Sequence, residues 1–240
     1  GLSFPTISSA GPNAAIIHYF YGDGEVQTPV DARSIFLCDS GGQYRDGTTD
    51  VTRTVHLGEP TPHEKECFTR VLQGHIGLAS AVFPNGTLGT SVDAFARQAL
   101  WRVGLDYRHG TGHGVGAFLN VHEGPHTVGQ VLPAHSQPLL EGMTVTVEPG
   151  YYEDGAFGIR IENVEVVEPA ATRHNFAGRG FLKLAPVTFV PIQEKLMDLS
   201  IMTPGEMDWV DEYHARTWEV LEGRVEGKDR EWLRAATKPL

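Results

Sequence analysis

The sequence predicts an α+β fold in one domain, and three observations carry that expectation. Helical periodicity is confined to a few capped segments, short Val-, Ile- and Thr-rich runs between turn residues fill much of the rest, and no shift in composition marks a boundary. A chain of 240 residues can bury a sizeable core, and 40% hydrophobic with 20% charged residues fits a folded chain and not a disordered one.

Each element follows from local chemistry. Ser3 to Asn13, rich in Ser, Gly and Pro, reads as loop and leads into the apolar stretch Ala14 to Phe20. Ser34 to Asp39 reads as a buried strand ending in a carboxylate. Residues 41–47 turn, and Thr48 to Leu57 reads as a second strand in which Val51, Arg53, Val55 and Leu57 alternate. Thr61-Pro62-His63-Glu64 supplies a helix cap, a first-turn Pro and an early acid ahead of Cys67, Phe68, Val71, Leu72 and Ile76. Pro84-Asn85-Gly86-Thr87 is a turn, and Ser91 to Val103 a second helix with Val92, Phe95, Ala99 and Leu100 on one face. Tyr107 to Pro125 is rich in Gly and His. Gly142 to Val167 gives strands broken at Pro149-Gly150 and Asp154-Gly155. A closing helix starts at Thr203-Pro204 and runs through Trp209, Val210, Tyr213, Trp218 and Leu221. A break from Gly223 to Gly227 then precedes a short last helix around Trp232.

Composition excludes several functions. Nineteen Lys+Arg against 30 Asp+Glu give a formal charge of -11, the opposite of what a nucleic-acid partner requires. No apolar run approaches the ~20 residues of a bilayer span, so a membrane is excluded as well. Cys38 and Cys67 are too few for a disulfide framework and read as buried thiols, which points to a reducing, cytoplasmic compartment. The chain starts at Gly1, as a processed chain or a fragment does, so a missing signal peptide says nothing of a precursor.

The chemistry concentrates in a few places. Asp39 and Asp50 flank a short turn, and hairpin pairing of their strands brings both carboxylates to one side. His113 lies where glycine recurs at every second position (Gly110, Gly112, Gly114, Gly116), a pattern that permits close backbone approach. Glu148 ends a Val-Thr-Val strand before Pro149-Gly150, and Glu162 lies on the strand after the next turn. Singly, each is compatible with a structural or solvated role. Together, four carboxylates and an imidazole, each at a strand end or in a Gly-rich segment, can supply the ligands of a paired metal centre, and such oxygen-rich sites favour Mn, Mg, Co or Zn. Paired ions sit ~3.5–4 Å apart and acidify a shared water.

The stretches Ser3 to Ser9, Asp39-Ser40-Gly41, Asp46 to Thr54, His109 to Gly116, Asn120 to Pro125, Glu148 to Tyr152 and Gly158 to Asn163 recur in order over essentially the whole chain. In this the sequence resembles the catalytic domain of the X-prolyl aminopeptidase (aminopeptidase P) family, its cytosolic, eukaryotic-type branch above all. The resemblance implies the pita-bread fold shared with methionine aminopeptidase, prolidase and creatinase, with curved antiparallel sheets covered by helices in a pseudo-twofold arrangement. It further implies two divalent metal ions, manganese first with zinc or cobalt as alternatives, and a peptide substrate with Pro at its second position, from which the N-terminal residue is released. Carried over position by position, the metal ligands are Asp39, Asp50, His113, Glu148 and Glu162. His109 and His122 fall at the substrate-binding and proton-shuttling histidines, His18 matches another active-site histidine, and Arg160 orients carboxylates. Phe118, Tyr151 and Tyr152 stand nearby, either as a pocket for the proline ring or as packing. Val147 stands where relatives carry a polar or acidic residue.

Complete family members carry upstream domains and a helical segment before Ser3-Phe4-Pro5. The resemblance therefore implies that residues 1–240 are a catalytic domain without that helix, with apolar surface covered by a partner or by a second copy in a homodimer. Trp209, Tyr213, Trp218 and Trp232 serve either that interface or the core. Two other functions remain open at this level. One is a catalytically impaired pita-bread scaffold acting as a binding or moonlighting protein, and the other is a prolidase acting on Xaa-Pro dipeptides.

Overall fold

Residues 1–22, 28–131 and 133–240 are described by a computed structural model. In chain order its strands are β1 (Ile7–Ala10), β2 (Ile35–Ser40), β3 (Val51–His56), β4 (Val82–Pro84), β5 (Gly112–His113), β6 (Thr127–Val128), β7 (Thr144–Val147), β8 (Gly150–Glu153), β9 (Phe157–Arg160), β10 (Asn163–Pro169) and β11 (Phe181–Pro186). The α-helices are α1 (Pro62–Ala79), α2 (Asp93–Trp101), α3 (Pro204–Leu221) and α4 (Gly227–Ala236). All pairing is antiparallel, with one sheet ordered β1-β2-β3, another β4-β11-β10-β7, and the two-stranded pairs β5-β6 and β8-β9.

The helices begin where side chains replace the missing backbone partners. Thr61 and Glu64 form a reciprocal capping box at the start of α1, with Pro62 in the first turn, and Thr203, Pro204 and Glu206 repeat the arrangement at α3. Helix α1 joins two apolar clusters. Phe68, Val71, Leu72 and Ile76 pack with Ile159, Ile161, Leu196 and Val210, whereas Leu78 packs with Val145, Val147, Val167 and Leu182 of the four-stranded sheet. These side chains are close to fully buried, and burying one is worth ~1.5–3 kcal/mol. Among the described residues no helix is long and apolar enough to cross a membrane.

Several sequence expectations need correction. Ser3 to Asn13 is not all loop, because Ile7–Ala10 pairs with β2 as an edge strand and Gly11–Ala15 forms a 3-10 turn. Val82–Pro84, three residues beside a turn, carries too little pattern to be read as the strand it is. On β3 the buried face is Thr52, Thr54 and His56, together with Arg53, while Leu57 lies outside the strand and is exposed. Phe95 points outward at 46% exposure, and α2 buries Val92, Ala96 and Leu100 around Arg97 instead. Trp232 is exposed, its helix docking through Leu233, and Cys38 is only half-buried, whereas Cys67 is buried.

Candidate active site

Strand register assembles the site. Pairing of Asn163 with Val147 between β10 and β7 sets Glu162 and Glu148 side by side at one end of that sheet. Asp39 on β2 lies opposite Thr52 on β3, and the Glu162 N–H donates to the Thr52 carbonyl at 3.1 Å, which ties the two sheets together. The third part is the glycine-rich segment. A Cβ on Gly112 would overlap the Thr146 carbonyl and one on Gly114 the Glu123 carbonyl, so glycine alone lets this segment lie against β7 and carry His113 to Glu148.

The resulting carboxylates and imidazole interlock. Ligand-type atoms of Asp39, Asp50 and Glu162 lie within 4.8 Å of one another, and so do those of His113, Glu148 and Glu162, and those of Asp50, His113 and His122. His113 Nε2 is 3.3 Å from Glu148 and 3.6 Å from Asp50, while its Nδ1 faces the Gly114 carbonyl at 3.0 Å. Arg160, 2% exposed, donates to Asp39 Oδ2 at 2.8 Å, to the Thr52 hydroxyl at 3.1 Å and to the Tyr152 hydroxyl at 2.8 Å. Tyr152 in turn meets His109 Nε2 at 2.9 Å, and the His113 and His122 rings stand edge to face at 4.2 Å.

Electrostatics shows how crowded these charges are. Burial, then the Asp39 charge, pushes Asp50 up to about 8. Burial and the neighbouring carboxylates push Glu162 well above the carboxylate range, and burial raises Asp39 despite Arg160. Glu148 goes the other way, to about 2, because its contact with His113 outweighs burial, and the same contact raises His113. Burial lowers His109 to about 4, and burial with the His113 charge lowers His122. Asp39 Oδ1 is buried without a hydrogen-bond partner among the described residues. A compact group of buried carboxylates, short of positive charge and with an oxygen left over, fits divalent cations, which would remove the repulsion and fill that vacant acceptor.

A cavity of about 640 Å³ opens over this cluster, and His18, Asp39, Asp50, His109, His113, His122, Glu148, Arg160 and Glu162 all line it. Its apolar lining is Phe4, Ile7, Ile17, Tyr19 and Phe20. Phe118, Tyr151 and Tyr152 do not line this cavity, so of the two alternatives left open for them the ring pocket is not supported. Phe118 is 61% exposed, Tyr151 donates to Glu153, and the Tyr152 hydroxyl is held between Arg160 and His109. The apolar wall comes from the first twenty residues, where Ser, Gly and Pro between the apolar positions hide it in the sequence.

Comparison with known proteins adds independent findings. The model of metallopeptidase family M24 matches residues 1–169, and that of the C-terminal region of peptidase M24 matches residues 180–240. The chain is 54% identical over its whole length to aminopeptidase P1 of Lotus japonicus, covering 36% of that protein. It is 55% identical, again over its whole length, to a probable Xaa-Pro aminopeptidase P of Laccaria bicolor, covering 38% of it. It thus spans little more than a third of these relatives. Among solved structures it superposes on X-prolyl aminopeptidase of Caenorhabditis elegans, described as a cytosolic enzyme with a di-nuclear active site. That match has a TM-score of 0.92 and 42% identity, over 100% of this chain and 39% of that one. Prolidase of Pyrococcus furiosus matches at a TM-score of 0.62 and 27% identity over 76% of this chain and 49% of that one. The architecture is accordingly the pita-bread fold.

Proposed function

The chain belongs to metallopeptidase family M24, and from that premise we propose that it is a metal-dependent aminopeptidase releasing the N-terminal residue of peptides with proline at the second position. The observation that carries this reading is the buried group of Asp39, Asp50, Glu148 and Glu162 around His113, opening into a cavity large enough for a short peptide. Those five side chains would hold two divalent ions, manganese in preference to zinc or cobalt. When bound, the pair supplies an acidified water and polarises the scissile carbonyl. We take residues 1–240 as one catalytic unit working in the cytoplasm.

The chain's own residues do the rest. Arg160 holds Asp39 by a charge-assisted bond and so keeps its second oxygen aimed into the cluster. Arg160 also donates to the Tyr152 oxygen, which leaves the Tyr152 proton for His109 Nε2 and fixes the His109 ring as a neutral group. His122, exposed at the cavity beside His113 and held neutral, is placed to accept a proton and return it to the leaving nitrogen. His18, on the opposite apolar segment, faces the same space. A peptide nitrogen contributed by proline has no N–H, so nothing in the cavity need accept from it. Phe4, Ile17, Tyr19 and Phe20 offer apolar surface against which the ring loses water.

The test is cleavage by the metal-stripped chain, with and without manganese restored, of a Xaa-Pro-Xaa tripeptide and a Xaa-Pro dipeptide. Manganese-dependent release of the first residue from the tripeptide is expected. Cleavage of the dipeptide alone would make the chain a prolidase, and metal uptake without turnover on either would leave a binding scaffold.

A further inference from the structure

Two threonines with no assigned role stand behind the carboxylates. Thr52 on β3 and Thr146 on β7 are both fully buried. The Thr52 hydroxyl accepts from Arg160 Nε at 3.1 Å and donates to Glu162 Oε2 at 2.5 Å. The Thr146 hydroxyl accepts from the His113 backbone N–H at 3.0 Å and donates to Glu148 Oε1 at 3.0 Å. A guanidinium or backbone N–H can only donate, so each hydroxyl is the acceptor in that contact. The single hydroxyl proton is therefore left for the carboxylate.

We propose that Thr52 and Thr146 are positioning residues, one on each sheet flanking the site, that aim Glu162 and Glu148 at the metal ions by passing an N–H donor through a hydroxyl to one carboxylate oxygen. This inference rests on the reading that the five side chains bind two ions. Engaging one oxygen restricts rotation of the carboxylate and leaves its partner oxygen for a cation. Because Thr52 also touches Arg160, and Arg160 touches Asp39, the first relay aligns two carboxylates with one hydroxyl. The second relay joins the His113 backbone to the Glu148 carboxylate through the Thr146 side chain. Partners of this kind typically carry a 10- to 100-fold share of metal affinity, of the order of the effect expected here.

The test is calorimetric titration of the metal-stripped chain with manganese chloride, comparing wild type with Thr52→Val, Thr146→Val and the matching Thr→Ser variants. Valine keeps the shape and removes the hydroxyl. The expected result is affinity for one of two ions weakened about 10- to 100-fold in each valine variant and mostly restored by serine. Thr69→Val is the control, since the equally buried Thr69 hydroxyl donates only to the Lys65 carbonyl and accepts from the Asp198 N–H. It lowers the thermal midpoint and leaves manganese affinity unchanged. Circular dichroism of the stripped proteins identifies any variant that does not fold, and if Thr52→Val fails, Thr146→Val carries the test. Unchanged affinity in a folded valine variant, or no rescue by serine, overturns the proposal. A wild type that takes up no manganese overturns the metal-site reading and this inference together, a pattern distinct from failure of the variants alone.

Discussion

Among the described residues, Arg160 is a fully buried guanidinium bonded to the carboxylate cluster, and removing it leaves a buried carboxylate uncompensated. Arg160→Met leaves Asp39 buried beside three other carboxylates with its cation gone, so the metal-free protein should lose about 3–5 kcal/mol, read from urea unfolding. Glu165 is a buried carboxyl, away from the cluster, whose oxygens lack a hydrogen bond of good geometry among the described residues. Burial pushes it up to about 8 against the weaker pulls of Asn163 and Arg53, so folding takes up a proton between the ordinary carboxylate range and pH 8. Stability on its account falls as pH rises through that window. Glu165→Gln should flatten the fall and raise the thermal midpoint at pH 8, while a variant that steepens it would contradict this account. At this scale the ligand-type residues were readable because each closes a strand or sits among glycines. Thr52 and Thr146 are not, since a buried hydroxyl leaves no pattern separable from ordinary strand composition.

Among the elements, α1 and α2 pack backbone to backbone at Gly74. A Cβ on Gly74 would overlap the Ala96 carbonyl, so Gly74→Ala must push the helices apart. The helix-propensity gain of about 1 kcal/mol should be outweighed by overpacking of about 1–3 kcal/mol, giving a net loss in denaturant unfolding. Thr61→Ala, which removes half of the capping box, should cost about 1 kcal/mol in the same experiment. The two capped helices, α1 and α3, were readable almost to the residue because Thr-Pro-x-Glu is a local signal. β1 and β4 escaped because what makes them strands is pairing with β2 and β11, which lie far away in sequence. The buried face of β3 departs from the sequence expectation for a related reason. Valine alternation suggested one side, but the polar contacts of Thr52, Thr54 and Arg53 with the β9–β10 junction decide the other.

For the molecule as a whole, the site is where two sheets and a glycine-rich segment meet, so binding there couples directly to global stability. With manganese at 100 times its dissociation constant, each site filled should add about 2.7 kcal/mol to unfolding, visible as a concentration-dependent thermal midpoint. The fold family and the residues around the cavity could be read from ordered motifs along the chain. The apolar wall from Phe4 to Phe20 could not, because it is built by tertiary docking of a segment whose short strand and turn carry little local pattern. In the function proposed above, these five side chains form a two-ion catalytic centre. The most direct measurement is the rate of first-residue release from a Xaa-Pro-Xaa tripeptide as manganese is added back, in known equivalents, to the stripped chain. Activity absent without metal and reaching its plateau at two equivalents per chain is the predicted result. Full activity in the stripped protein, or none at any manganese concentration, would contradict it.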